Sequence, residues 1–163
     1  MAGEAFTVGA TVALRQGLPA FLALHGAVLA LLLWASAVDA RERIIPDGAV
    51  LGVLAAAAAS AALGGDPALF PGPPWLLAGG VLAFLLLSVL ALLSGGGVGG
   101  GDVKMAAALG FFLGVPDVFW LLLTACLAGL AWAVLRGEKR VPFAPFMAFG
   151  FLVADALRLF LAF

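Results

Sequence analysis

LPAFLALHGAVLALLLWASAV, residues 18–38, decides the class of this protein. The stretch runs 21 residues with His25 as its only titratable group. At about 1.5 Å of rise per residue, a helix of that length crosses the ~30 Å hydrocarbon core of a bilayer. Backbone groups in lipid have no water to bond, so only helices or closed barrels span it, and a continuous apolar run selects the helix over the alternating strand.

The same pattern repeats along the chain. Gly48–Leu63 is an alanine-rich run of 16 residues, and Trp75–Leu93 and Val118–Leu135 are uncharged and of spanning length. Phe143–Phe163 is long enough but carries Asp155 and Arg158, and a shorter apolar run, Val103–Gly114, lies between Asp102 and Pro116. The sequence therefore predicts an all-α polytopic membrane protein of about six transmembrane helices, with residues 1–163 forming one membrane domain. Composition agrees. Of 163 residues 65% are hydrophobic and 10% charged, whereas a soluble domain carries roughly 25% charged residues. The net charge of −1 comes with no basic patch that would suggest nucleic acid. Cys126 and His25 are the only residues of their kinds, which excludes an intrachain disulfide and a Cys/His metal site, and no cofactor is expected. Glu4 is the only charge before Arg15, so the N-terminus lacks the basic region of a cleaved signal peptide.

Basic residues orient the spans. With the N-terminus outside, the loops after spans one, three and five hold Arg41, Arg43, Lys104, Arg136, Lys139 and Arg140, six of the eight. The outer segment Gly64–Pro74 has no Lys or Arg, Arg15 is the contrary residue, and Arg158 lies within a span. In this topology Asp39 closes span one and Asp102 opens span four, at the same cytoplasmic edge although 63 residues apart. Charged groups at membrane depth point to function. Two facing carboxylates cannot both ionise cheaply and tend to hold one proton; the ionised member takes a proton from water while the other polarises a carbonyl, which suffices for peptide hydrolysis. The plainer reading places Asp39 in a solvated loop with Arg41, Glu42 and Arg43.

Gly95–Gly101 has six glycines in seven residues, broken by Val98. Glycine permits positive φ and close backbone approach, so the segment is expected to form a tight-access loop rather than a nucleotide site, for which no preceding strand exists. Asp102–Gly114 is about 20 Å as a helix, short of a ~30 Å core, so either part of the glycine loop joins the helix or Asp102 sits below the membrane surface. Other protease chemistries fail on inventory. One histidine cannot supply HExxH, His25 lies at the wrong end of span one to serve Ser94, and Cys126 is mid-span without a histidine.

At these residues the chain resembles the type IV prepilin and preflagellin peptidases, the GxGD membrane aspartyl proteases. Asp39-Ala-Arg-Glu-Arg-Ile-Ile-Pro-Asp47 is similar to the family's first aspartate, basic stretch and Ile-Pro-Asn. Gly97-Val-Gly-Gly-Gly-Asp-Val-Lys-Met105 is similar to its Gly-x-Gly-x-Gly-Asp-x-Lys-Leu block, and Val141-Pro-Phe-Ala-Pro-Phe146 to its Pro-Phe-x-Pro segment. The blocks fall in family order, and the resemblance runs from about Leu18 to Phe163.

The resemblance implies a GxGD aspartyl protease fold, with Asp39 and Asp102 as the catalytic pair. Gly97, Gly99 and Gly101 would form the active-site loop, with Lys104, Arg43 and Pro46 in support. It implies removal of a short basic leader from a prepilin-like substrate at the cytoplasmic face of the cell's inner membrane, with the lipid bilayer and pilus or secretion machinery as further partners. Asp47 and Met105 depart from the pattern. Larger members carry a cysteine-bearing cytoplasmic insert and N-methylate the product; here the first loop is only about Ala40–Asp47, so the resemblance is to the short forms.

The other charged groups have simpler readings. Lys104 is expected to snorkel to the interface, Arg41 and Arg43 to fix topology, Asp155 and Arg158 to pair on one face of span six, and His25 to pack or hydrogen-bond in the core. A presenilin-like enzyme would carry its first aspartate after Tyr, whereas Val38 precedes Asp39. A transporter or assembly subunit using Asp39, Asp102 and Asp155 as an ion path remains the non-enzymatic alternative; such a path would stagger its acids across the bilayer.

Overall fold

Helix boundaries fall where the sequence changes its local chemistry. The computed structural model describes residues 2–63, 71–93, 97–137 and 141–162, with side chains from residue 17 to residue 161 of these. Most of the Gly64–Pro74 segment, Ser94–Gly96, Lys139, Arg140 and the Arg15 side chain lie outside the described residues. Six helices follow in order among the described residues: α1 (Ala2–Glu42), α2 (Asp47–Leu63), α3 (Pro73–Leu93), α4 (Gly100–Leu113), α5 (Asp117–Arg136) and α6 (Ala144–Ala162). Asp47 and Asp117 stand in first turns, where a carboxylate complements the helix dipole. Pro73 opens α3, a position whose N–H has no helical partner to lose. Gly137 ends α5 at φ 65, in the left-handed region, and its N–H returns to the Ala133 carbonyl.

Five of these helices follow the predicted spans to within a few residues; α1 does not. It starts well before Leu18, with Pro19 inside it. The polar residues ahead of Leu18 end the apolar run without ending the helix. The segment 17–42 of α1, together with α3, α5 and α6, is long and apolar enough to cross a membrane, while α2 is a shorter apolar helix. The protein is a multi-pass membrane protein, and its outward faces fit that class, with Leu77, Leu85, Leu92, Leu130 and Leu135 all largely exposed.

The short α4 is the centre of the assembly. Val103, Met105 to Gly110, Phe112 and Leu113 are buried, against α3 and α2 principally. Apolar contact drives association weakly in lipid, because lipid tails are as apolar as leucine, so close backbone approach matters more. At the α3–α4 crossing a Cβ on Gly79 would lie 2.5 Å from the Gly110 carbonyl oxygen, and at the α5–α6 crossing a Cβ on Gly150 would strike the Leu121 carbonyl. Only hydrogen fits at either place. α1 packs on α6 and α2, and α5 on α6.

At the end of the bundle away from Asp39 and Asp102, four polar side chains gather, with His25, Asp117 and Arg158 buried and Asp155 partly so. His25 on α1 donates from Nδ1 to Asp155 on α6 at 2.8 Å. Arg158, one turn further along α6, pairs with Asp117 on α5 and donates from Nη2 to the Leu113 carbonyl at 2.6 Å. Phe21 stacks on the His25 ring at 3.8 Å, with Phe112 and Phe151 around it. His25 is thus both packed and hydrogen-bonded, as its sequence context suggests. The expected Asp155–Arg158 pairing is corrected, since each engages a partner on another helix. The reason is depth: at an interior face the unmet groups of α1, α4 and α5 need partners, and a lone buried charge there would cost about 3–5 kcal/mol.

Candidate active site

Asp39 lies in the last turns of α1 and is only 5% exposed, which removes the reading of it as part of a solvated loop. Its Oδ2 accepts a hydrogen bond of 3.0 Å from the N–H of Ala144, the first residue of α6. The first N–H groups of a helix have no intrahelical acceptor, so a carboxylate there satisfies one of them and meets the positive end of the dipole. α1 stops at once beyond this point. Arg43 takes φ 57, an uncommon value for a residue with a side chain, while its N–H bonds back to the Asp39 carbonyl at 3.0 Å. The chain then turns through Ile44 and buried Ile45 into α2, where the Pro46 carbonyl accepts from the Ala49 N–H at 3.0 Å.

Asp102 is held by different means. Gly99 is the residue before α4, and its N–H donates to Asp102 Oδ2 at 3.1 Å, the reach-back half of a capping box. Part of the glycine run therefore does join the helix, which begins at Gly100. Positive φ is not what the described part of this run, residues 97–101, supplies. Gly99 has φ −76 and ψ 150, and the described glycines at positive φ are Gly114 and Gly137. The glycines serve by their size instead: a Cβ on Gly99 would sit 3.2 Å from Asp102 Oδ2, and one on Gly101 3.2 Å from the Ile45 Cβ. The Asp102 pKa is pushed up to about 6, chiefly by burial, with the Gly99 N–H pulling it down and the negative charge of Asp39 raising it.

Two adjoining recesses meet at this pair. The first, of about 300 Å³, is lined by Asp39, Asp102, Gly99 to Gly101, Lys104 and the turn residues Arg43, Ile44, Ile45 and Asp47. The second, of about 230 Å³, shares Asp39, Arg43, Gly99 and Asp102 and adds Gly97, Val141 and Phe143. Asp39, Asp102, Gly97, Gly99, Gly101, Lys104 and Arg43 are thus brought together, whereas Pro46 stands outside the lining at the start of α2. Lys104 does more than reach toward water: its Nζ lies 3.2 Å from Asp47 Oδ1, an exposed pair joining the first turns of α2 and α4.

A buried carboxylate and a half-buried one facing the same recesses can share a proton and work on an amide carbonyl. Sequence reasoning missed the Ala144 N–H as the anchor of Asp39, since a backbone donor leaves no residue-type signal. It also passed over Asp117, whose place beside Pro116 read as a span boundary.

Comparison with known proteins follows the same residues. The model of the type IV leader peptidase family matches residues 26–134. A prepilin leader peptidase/N-methyltransferase of Bacillus subtilis (strain 168) is 45% identical over 86 residues, covering 48% of this chain and 34% of that protein. One of Burkholderia pseudomallei (strain 1026b) is 33% identical over 155 residues, covering 86% of this chain and 50% of that protein. The chain spans half the length of these curated relatives or less. No solved structure matches it.

Proposed function

The chain belongs to the type IV leader peptidase family, and from that premise we propose that it is an intramembrane aspartyl endopeptidase removing the leader from a prepilin-like precursor. The observation that carries this reading is the meeting of Asp39 and Asp102, from helices 63 residues apart in sequence, on both recesses. Asp102, whose pKa burial raises above the usual carboxylate range, is assigned as the proton-bearing member that polarises the scissile carbonyl. Asp39 takes a proton from the attacking water. The tetrahedral intermediate collapses as the leaving amine is protonated, and no covalent enzyme intermediate forms. Gly97, Gly99 and Gly101 let the substrate backbone approach, and the Arg43 turn and Lys104 frame the mouth. The proposal covers the leader-peptidase activity of these relatives and not the N-methyltransferase one.

Orientation by basic residues supports a site at the cytoplasmic face of the inner membrane, with pilus or secretion machinery receiving the product. The whole described chain acts as one membrane peptidase unit. An ion path is disfavoured by the interior between the two polar ends: Leu32, Ala35, Met105, Leu109, Met147 and Phe151 are all fully buried there. The test is leader removal from a purified prepilin by Asp39→Asn and Asp102→Asn. Each is expected to abolish cleavage while insertion and expression stay normal. Clear residual turnover in either variant would exclude that residue from the pair.

A further inference from the structure

The two carboxylates ride on helices that do not principally pack on each other: α1, with Asp39, rests on α6 and α2, while α4, with Asp102, rests on α3 and α2. Their shared neighbour α2 touches both through largely apolar faces near the recess, which leaves their separation at the far end to other contacts. Apolar packing against lipid-like neighbours fixes axial register poorly, and directed polar contacts between helices fix it well. We propose that α6 sets the separation of Asp39 and Asp102 from the far end of the bundle, with Asp155 and Arg158 as positioning residues for the two carboxylates. The inference rests on the reading of that pair as catalytic.

Two ties join α1 to α6. One is the Ala144 N–H to Asp39 at the recess, and the other is His25 to Asp155, where the two side chains are only 6% and 16% exposed. The ties are separated by about 21 Å of α1, at 1.5 Å per residue over the interval from His25 to Asp39. A slip of one residue moves a helix about 1.5 Å along its axis and turns it about 100°, which would break both. The far tie therefore locks the depth and rotation of Asp39.

Arg158 grips the other carrier. Its Nη2 donates to the carbonyl of Leu113, the last residue of α4, at 2.6 Å. Carbonyls in the last turn of a helix have no intrahelical partner, and a cation there meets the negative end of the dipole. Asp117, in the first turn of α5, holds the guanidinium from the other side. Asp155 and Arg158 are three residues apart, so they share one face and one turn of α6. A single helical turn of α6 thus holds both carboxylate-bearing helices, α1 at His25 within its length and α4 at its last carbonyl. Burial of this charged cluster far from the recess is otherwise without use in the proposed chemistry.

The experiment uses the full chain in liposomes, with two readouts on monodisperse protein. The first is kcat and KM for leader removal by Asp155→Asn and Arg158→Gln. The second is the distance between spin labels at Glu42 on α1 and Leu93 on α3, in a Cys126→Ala background and without substrate. Misplacement of catalytic groups by an ångström can cost about 100-fold, so kcat is expected to fall about 10- to 100-fold with KM within about threefold. The label distance should shift or broaden. Arg158→Lys should recover part of kcat, and the reciprocal double variant His25→Asp/Asp155→His more than either single change. Unchanged kcat per folded molecule together with an unchanged distance would overturn the proposal. Where Arg158→Gln does not fold, Asp155→Asn, which keeps shape and an acceptor, decides alone by the same two readouts. A shifted distance with normal cleavage would support α6 as the spacer while removing the catalytic reading, so the two ideas fail separately.

Discussion

Replacing Gly99 by alanine or valine gives a graded test of how closely the recess must be shaped. The backbone at Gly99, φ −76 and ψ 150, is open to any residue, so the change strains nothing in itself. What it meets is the carboxylate. The new Cβ would lie 3.2 Å from Asp102 Oδ2, where ordinary contacts begin at 3.4 Å. Asp102 must then retreat by about 0.2 Å for alanine and further for valine, whose branch adds two more carbons. With about 100-fold lost per ångström of misplacement, kcat should fall about two- to threefold in Gly99→Ala and by at least about tenfold in Gly99→Val. Gly100 is the control, for a Cβ there meets nothing within 4 Å, and Gly100→Ala should stay close to the parent rate. Initial rates of leader removal at equal folded protein, with thermal unfolding measured alongside, separate displacement from loss of the helix start. Rates near the parent for both Gly99 variants, or equal damage from Gly100→Ala, would refute the steric argument.

Three further outcomes are expected. Asp102 must be protonated to act as the acid, and its raised pKa of about 6 means that this form is lost as pH rises through that value. The alkaline limb of kcat/KM should accordingly have its midpoint near pH 6, and a flat profile from pH 5 to 8 would assign the proton elsewhere. Chelators should leave cleavage intact and Cys126→Ala should remain active; loss with a chelator and recovery with zinc would overturn the dyad mechanism. Single cysteines at Glu42 and Pro74, in the Cys126→Ala background, should differ in labelling by an impermeant thiol reagent on intact cells. Pro74 should label and Glu42 should not, and the reverse would invert the topology.

The helices were legible because their cause is local. Apolar runs such as Trp75–Leu93 need no tertiary context to declare themselves, and charge placement along such runs put Asp39 and Asp102 at one membrane edge, while their pairing came from the family resemblance. Contacts between helices were less legible. Asp155 and Arg158 are neighbours on one helix, so sequence spacing joins them, but interior partners on α1, α4 and α5 compete for both. The anchor of Asp39 is a backbone N–H, which every residue except proline carries. The glycine run announced itself by composition, yet its described residues give room beside Asp102 rather than unusual backbone angles, and only the three-dimensional neighbours distinguish the two.

The seam between α3 and α4 has a bearing on how this protein can vary. Leucines such as Leu85 and Leu92 look out from α3 and can exchange among apolar types with little penalty. At Gly79 and Gly110 each residue's missing side chain is the other's backbone space, so neither position has a second acceptable occupant while its partner stays in place. A compensating change cannot help either, since the obstruction is main chain and no substitution shortens it. Along α3, freedom to drift and a complete bar to it thus stand on opposite sides of the same helix, and the barred side is the one that backs onto the carrier of Asp102.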